Sequence, residues 1–145
     1  MATTGSFNTG SYTDSGVKCY LVFSWTRTSY SIENNTSTIS WTLKGNVSPS
    51  GYYMMCGGFT VVIDGETVYS KSQDYRVKVY NGTVIASGTK TLSHNADGTR
   101  SFNASASAGI WTWAVNKSGS GSWSVDSIPR QATLTPAPNS NDEET

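Results

Sequence analysis

At 145 residues, with 10 Lys+Arg set against 10 Asp+Glu, the chain suits one domain and lacks the cationic excess that a nucleic-acid binder uses to neutralise phosphates. Only 14% of residues are charged, so 23 Ser, 19 Thr and 10 Asn carry the solubility, and 12% aromatic content argues against disorder. No apolar run approaches the roughly 18 residues of a membrane span, and no basic-then-apolar opening marks a secretory signal, so synthesis in a cytoplasm is expected.

Residues 1–15 are small and polar and read as a flexible lead-in or an edge strand. Val17, Cys19, Leu21, Phe23 and Trp25 then alternate with Lys18, Tyr20, Val22 and Ser24, the pattern of a strand with one buried face. Ile39, Trp41 and Leu43 repeat it. Asp64-Gly65 between Val61-Val62-Ile63 and Glu66-Thr67-Val68-Tyr69 predicts a type I′ hairpin, and Asn81-Gly82 between 75–80 and 83–86 predicts a second. Asn95-Ala96-Asp97-Gly98 makes a wider turn between strands near 89–93 and 99–107. Gly119-Ser120-Gly121 precedes a last strand, Ser122 to Ile128, which Pro129 ends. Helix signals are almost absent. The expectation is an all-β fold, an antiparallel β-sandwich of jelly-roll type with about eight to ten short strands. One domain is expected over 1–130. Residues 131–145, with Pro136, Pro138, Asp142, Glu143 and Glu144, read as an acidic tail.

Catalytic chemistry is thinly supplied. A Ser–His–Asp or Cys–His arrangement would have to use His94, the only histidine, which is expected to be a turn residue. No serine sits in a nucleophile elbow. Asp14, Glu33, Glu66, Asp74 and Asp126 are scattered, Asp64 and Asp97 sit in turns, and no paired-carboxylate site is expected. Two Cys and one His cannot furnish a zinc site. Asn95 to Thr99 opens like an oxygen-rich calcium loop, but the further oxygens and closing Glu do not follow, so an Asx turn is expected. Six Asn-x-Ser/Thr triplets, at Asn34, Asn35, Asn46, Asn81, Asn103 and Asn116, follow from composition. Neither a cofactor nor a metal nor an enzymatic activity is expected. Cys19 and Cys56, the only cysteines, are expected as two free buried thiols in a reducing compartment, with one disulfide as the alternative.

The aromatic residues carry more. Trp25, Trp41 and Trp123 lie on alternating strands and are expected in the core. Trp111 and Trp113 are one residue apart, so on a strand both rings would leave the same face. Tyr52 and Tyr53 follow Pro49-Ser50-Gly51 at a loop-to-strand junction, Tyr75 and Tyr80 lie at the ends of a hairpin strand, and Tyr69 is in the strand before. Exposed flat rings among Asn and Ser suit sugars, whose C–H faces stack on aromatics while amides and hydroxyls bond their OH groups. The candidate glycan-binding residues are therefore Trp111, Trp113, Tyr52, Tyr53 and Tyr80. The competing reading is ordinary sandwich packing.

The stretch Ser31-Ile32-Glu33-Asn34-Asn35-Thr36-Ser37-Thr38-Ile39-Ser40-Trp41-Thr42-Leu43 is followed in order by Val62-Ile63-Asp64-Gly65, by Tyr80 to Gly88, by His94 to Phe102, by Gly119-Ser120-Gly121-Ser122-Trp123 and by Ile128-Pro129-Arg130. This series, over roughly residues 5–135, resembles the N-terminal β-rich domain of a family of siphophage tail-region proteins from Gram-positive hosts. The resemblance implies a virion protein, made in the host cytoplasm, near the tail tip or baseplate. It implies host-surface adhesion, and it brings no catalytic residues. Family members usually continue past the Ile-Pro-Arg segment, so a stand-alone accessory protein or one domain of a longer chain is expected. The expected partners are a host-surface or environmental glycan, other virion proteins and further copies of the chain, with no nucleic acid and no membrane. A purely structural capsid or tail decoration protein is the alternative, and a virion glycan hydrolase or lysin the lesser one.

Overall fold

The computed structural model describes residues 1–111 and 115–130. Ten strands and no helix make up this part: β1 (Thr4–Asn8), β2 (Tyr12–Asp14), β3 (Val17–Ser31), β4 (Thr36–Ser48), β5 (Tyr53–Ile63), β6 (Glu66–Ser70), β7 (Arg76–Tyr80), β8 (Val84–Ser93), β9 (Arg100–Ile110) and β10 (Asn116–Val125). They form two five-stranded sheets. The first runs β1-β3-β4-β8, with β2 beside β1 on the same side of β3. The second runs β10-β9-β5-β6, with β7 also on β5. Every strand pairing is antiparallel. The expected all-β antiparallel sandwich is the fold.

Four sequence expectations change. The strands are not uniformly short, since β3 has 15 residues and β4 has 13, and these two supply the long central hairpin of the first sheet. In-sheet hairpins such as β3–β4 and β9–β10 set the strand order, and a jelly-roll path does not emerge from it. Asn81-Gly82 does not close a hairpin: β7 pairs with β5 and β8 with β4, so this turn carries the chain from one sheet to the other. Gly82 alone takes positive φ there, at 89°, and Thr83 N–H donates to Tyr80 O at 3.1 Å. A two-residue hairpin of type I′ needs positive φ at both central residues, which Asp64 (55°) and Gly65 (79°) do provide between β5 and β6. Finally, Gly119 and Gly121 lie inside β10, which starts at Asn116 and ends at Val125 rather than spanning 122–128.

Volume matching explains those glycines. The inward row across the first sheet is Gly5–Trp25–Trp41–Gly88, two indoles side by side with a glycine at each end. A Cβ on Gly5 would stand 2.5 Å from Trp25 Nε1, and one on Gly88 would stand 3.1 Å from Trp41 Nε1. The facing sheet answers with small residues: after Phe102 the inward positions of β9 are Ala104, Ala106 and Ala108, all buried. Between the sheets, Trp123 of β10 meets Phe7 at 6.3 Å, Phe23 at 6.4 Å, Trp25 at 5.7 Å and Phe102 at 5.3 Å between ring centroids. Trp25 and Trp41 are buried as expected, while Trp123 is half-buried at the rim.

Residues 1–10 belong to the sandwich as an edge and close one side of it. Ala2 N–H donates to Ser124 O at 2.9 Å, Asp126 N–H to Ala2 O at 2.9 Å, and Gly10 N–H to Ser118 O at 3.1 Å, joining the β1 edge of one sheet to the β10 edge of the other. Gly119 permits that approach, because a Cβ there would lie 2.3 Å from the Asn8 carbonyl oxygen. Gly119→Ala is expected to lower the unfolding free energy in urea by about 1–3 kcal/mol, the usual cost of overpacking. Gly10→Ala, whose Cβ would meet only the flexible Lys117 chain at 3.4 Å, is expected to stay within about 0.5 kcal/mol of the parent.

Candidate functional site

Two groupings among the described residues bear on function, one buried and polar, the other exposed and aromatic. The first was hidden in the sequence. Ser37 has the same parity as Ile39, Trp41 and Leu43 and so points inward from β4, where it is 0% exposed. Its Oγ lies 2.7 Å from His94 Nε2, and His94 Nδ1 lies 2.8 Å from the Gly98 carbonyl oxygen. A carbonyl only accepts, so Nδ1 carries the proton and donates to Gly98, and Nε2 accepts from the Ser37 hydroxyl. His94 does sit beside its turn as expected, but it is buried there as a strut. The pair has the outline of a hydroxyl and its base, with two departures. The third member is a carbonyl instead of a carboxylate, and the Ser37 oxygen is closed to any substrate carbonyl.

What the pair does is clamp three segments. Ser37 belongs to β4, His94 follows β8, and Gly98 ends the turn leading to β9. Asn35 adds to the clamp, its Nδ2 donating to His94 O at 3.1 Å and Asn95 O at 2.8 Å. Arg27 approaches from outside, donating through Nη1 to Asp126 O at 2.9 Å and lying 3.4 Å from Ser37 Oγ. Its guanidinium also covers the Tyr30 ring at 4.7 Å, beside an open depression lined by Thr3, Arg27, Thr28, Ser29 and Tyr30 at the bulge in β3. The inward parity of Ser37 was the one sequence signal for the clamp, since a buried hydroxyl needs a partner.

The turn after His94 is the expected Asx turn. Asp97 Oδ1 accepts from Thr99 N at 3.1 Å and Thr99 Oγ1 at 2.6 Å, and Gly98 has φ 88°. The Thr99 hydroxyl, then its N–H, holds the fully exposed Asp97 carboxyl below its ordinary 3.8. Because the folded value is depressed, this contribution to stability is present above about pH 4 and is lost as pH falls through the folded value. Two other acids are engaged in ion pairs, Asp64 with Arg100 and Glu66 with Lys90.

The second grouping is the outward face of β5 and β7. Met54 and Cys56 point inward, so Tyr53 and Met55 point out. On β7, Val77 and Val79 pack inward, so Arg76, Lys78 and Tyr80 point out. The register sets Tyr53 opposite Tyr80 and Met55 opposite Lys78. The two tyrosine rings lie 5.4 Å apart and remain 41% and 42% exposed, and Lys78 Nζ stands 5.1 Å from the Tyr53 centroid. Tyr52 is exposed at the start of the same strand, where its N–H donates to Pro49 O at 3.4 Å.

Of the five candidate residues, the structure brings Tyr53 and Tyr80 into contact, and Tyr52, which precedes Tyr53 in the chain, is exposed. Trp111 is not on a strand, because β9 ends at Ile110. With φ 67° it leaves the ladder, its N–H donating to Met55 O at 2.7 Å and its carbonyl accepting from Arg76 Nη1 at 2.8 Å. Its side chain is half-buried against the core. The premise of two indoles on one strand face therefore fails at Trp111. Trp113 lies outside the described residues, as does the expected tail at 131–145.

A third aromatic cluster seals the open flank of the second sheet. Tyr69 and Tyr75 pack against Phe59 at 6.4 and 6.3 Å, and Lys71 Nζ lies 5.8 and 5.1 Å from their ring centroids. Burial, then Tyr75, pushes the Tyr69 hydroxyl above its ordinary value. Tyr69 is thus partly committed to packing, whereas among the described residues the ring contact of Tyr53 and Tyr80 is with each other.

Replacing Ser37 by Ala would leave His94 Nε2 buried without a partner. The expected loss of stability is about 1–3 kcal/mol, read by urea unfolding, with the sandwich retained by circular dichroism. No family model, no curated protein and no solved structure matches the chain.

Proposed function

We propose that the chain is a bacteriophage virion protein that adheres to host-surface glycan, weakly and in many copies, through the Tyr53–Tyr80 face. The observation that carries the binding part is the cross-strand pair of tyrosines, each about two-fifths exposed and flanked by Lys78. Such rings offer a flat apolar face for sugar C–H groups, while the hydroxyls and the ammonium reach sugar oxygens. The virion part rests on the ordered resemblance described above. An open two-ring platform buries little of a ligand, so single-site affinity is expected near about 1 mM, equivalent to about −4 kcal/mol. Copies displayed together gain about 10²–10⁴ in avidity.

A second reading has its own observation. Tyr30 and Ile32 are both exposed at the tip of the β3–β4 hairpin, next to the depression over Arg27. A tip of this kind suits contact with a neighbouring virion protein, as a decoration protein requires. The hydrolase reading gains no support from the Ser37–His94 pair, whose hydroxyl is closed to substrate.

The test is binding of the labelled protein, free and clustered on beads, to a glycan array and to intact Gram-positive cells, with Tyr53→Ala/Tyr80→Ala beside it. Both side chains are largely outside the core, so the variant is expected to keep its circular dichroism. Clustered parent protein is expected to bind and the variant to lose about tenfold or more, the equivalent of about 1.4 kcal/mol. Equal binding by both proteins would move the site off this face. No binding by clustered parent protein would overturn adhesion and leave decoration in front.

A further inference from the structure

We propose that Cys19 and Cys56 are an inter-sheet dithiol that closes to a disulfide when a peroxide-class oxidant reaches it, turning a sandwich held by packing into a cross-linked one. The two cysteines are the only ones in the chain. Cys19 points inward from β3 of the first sheet, in register with Val47 and Tyr12. Cys56 points inward from β5 of the second, in register with Val77 and Ile110. Both are free thiols and both are 0% exposed; Cys56 Sγ lies 3.8 Å from Met54 O, and each thiol is the foremost neighbour acting on the other. Opposed sheets thus present their single cysteines to each other. Closure needs the sulfurs to reach a bond of about 2.05 Å, with the Cα atoms about 4.4–6.8 Å apart.

The chemistry is asymmetric. The hydrogen bond from Cys56 draws the Cys19 thiol below its ordinary 9.0, while the same contact and burial push Cys56 up. Cys19 is therefore the attacking sulfur. Its thiolate attacks one oxygen of hydrogen peroxide. The O–O bond breaks, the departing hydroxide takes up the proton that Cys19 released and leaves as water, and Cys19 becomes a sulfenic acid. The Cys56 sulfur then attacks the Cys19 sulfur. The S–O bond breaks, and the hydroxyl leaves as water with the Cys56 proton. In sum two thiols give up two electrons and two protons, and one peroxide is reduced to two waters. A water-sized oxidant suits a fully buried pair, where a glutathione mixed disulfide would need room the packed core lacks. The inference stands apart from the glycan reading, because it concerns the core alone.

The native full chain would be incubated with excess hydrogen peroxide, quenched with catalase at intervals, unfolded, alkylated, digested and mapped by mass spectrometry. Met1, 79% exposed, supplies an internal clock of peroxide exposure through its sulfoxide. The expected result is a peptide pair joined through Cys19 and Cys56, rising as alkylation of both falls. The thermal midpoint is expected to rise by roughly 10 °C and to fall back with dithiothreitol. Two fully alkylated cysteines after Met1 is wholly oxidised would overturn the proposal. So would sulfinic or sulfonic acid at either residue without the joined peptide. Cys56→Ala is expected to show no rise in midpoint, and a rise equal to the parent's would count against a cross-link. Should that variant fail to fold, the peptide map of the parent protein decides alone.

Discussion

The fold depends on fitting two adjacent tryptophans between two sheets. Trp25 and Trp41 are register partners on neighbouring strands, and both project into the same interior. Two indoles side by side need more room than an ordinary inward pair, and close packing allows neither void nor overlap. The chain meets this by pairing large with small. Gly5 and Gly88 flank the indoles in their own sheet, and Ala104, Ala106 and Ala108 line the facing one. Trp123 then fits from the rim against Phe7, Phe23, Trp25 and Phe102. The Ser-Ala alternation of β9 is thus the counterpart of the aromatic alternation of β3.

The closure of the edges follows from that core. A sandwich leaves strand edges open, and open edges invite pairing with other chains. On one side the β1 edge is bonded to the β10 edge through Ala2 and Gly10. On the other, Tyr69, Tyr75 and Lys71 cover Phe59. Between the sheets the chain crosses three times, from β4 to β5, at the turn containing Gly82 and at the turn containing Gly98, and the last crossing is pinned by Ser37, His94 and Asn35. A buried polar clamp of this sort fixes one path for the chain, because the Ser37 hydroxyl and both His94 ring nitrogens would lose their partners on any other.

The candidate binding face is a by-product of how β5 is shared. Its first half pairs with β7 and its second half with β6, and since β9 joins β5 only from Cys56 onward, Tyr53 to Met55 and Lys78 to Tyr80 form a short two-stranded ledge. The inward positions of the ledge serve the core through Met54 and Val79. The outward ones, Tyr53, Met55, Lys78 and Tyr80, are released from packing. The same division brings Cys56 to the interior opposite Cys19. Outer face and inner dithiol are therefore set by one strand's alternation.

Much was legible in the sequence where the cause is local. Alternation over 17–25 and 39–43, the Asp64-Gly65 turn and the Asx turn at Asp97 depend on residues close in the chain, and each has the expected form. The aromatic residues with exposed rings were also legible as candidates, because Tyr52, Tyr53 and Tyr80 stand beside turn residues. Pairing was not legible. Asn81-Gly82 looks like Asp64-Gly65 in the sequence, yet one crosses between sheets while the other closes a hairpin. What separates them is that β7 pairs with β5 and β8 with β4, on different sheets. The glycines of β10 read as a loop because much of their reason, the passage of Asn8 and the ring of Phe7, lies far away in sequence. Ser37 and His94, 57 residues apart, and Cys19 and Cys56 met only when the sheets stacked. The sequence by itself determined which residues extend and which face each buries. Only the tertiary structure decided who stands opposite whom, since that depends on volumes summed across two sheets.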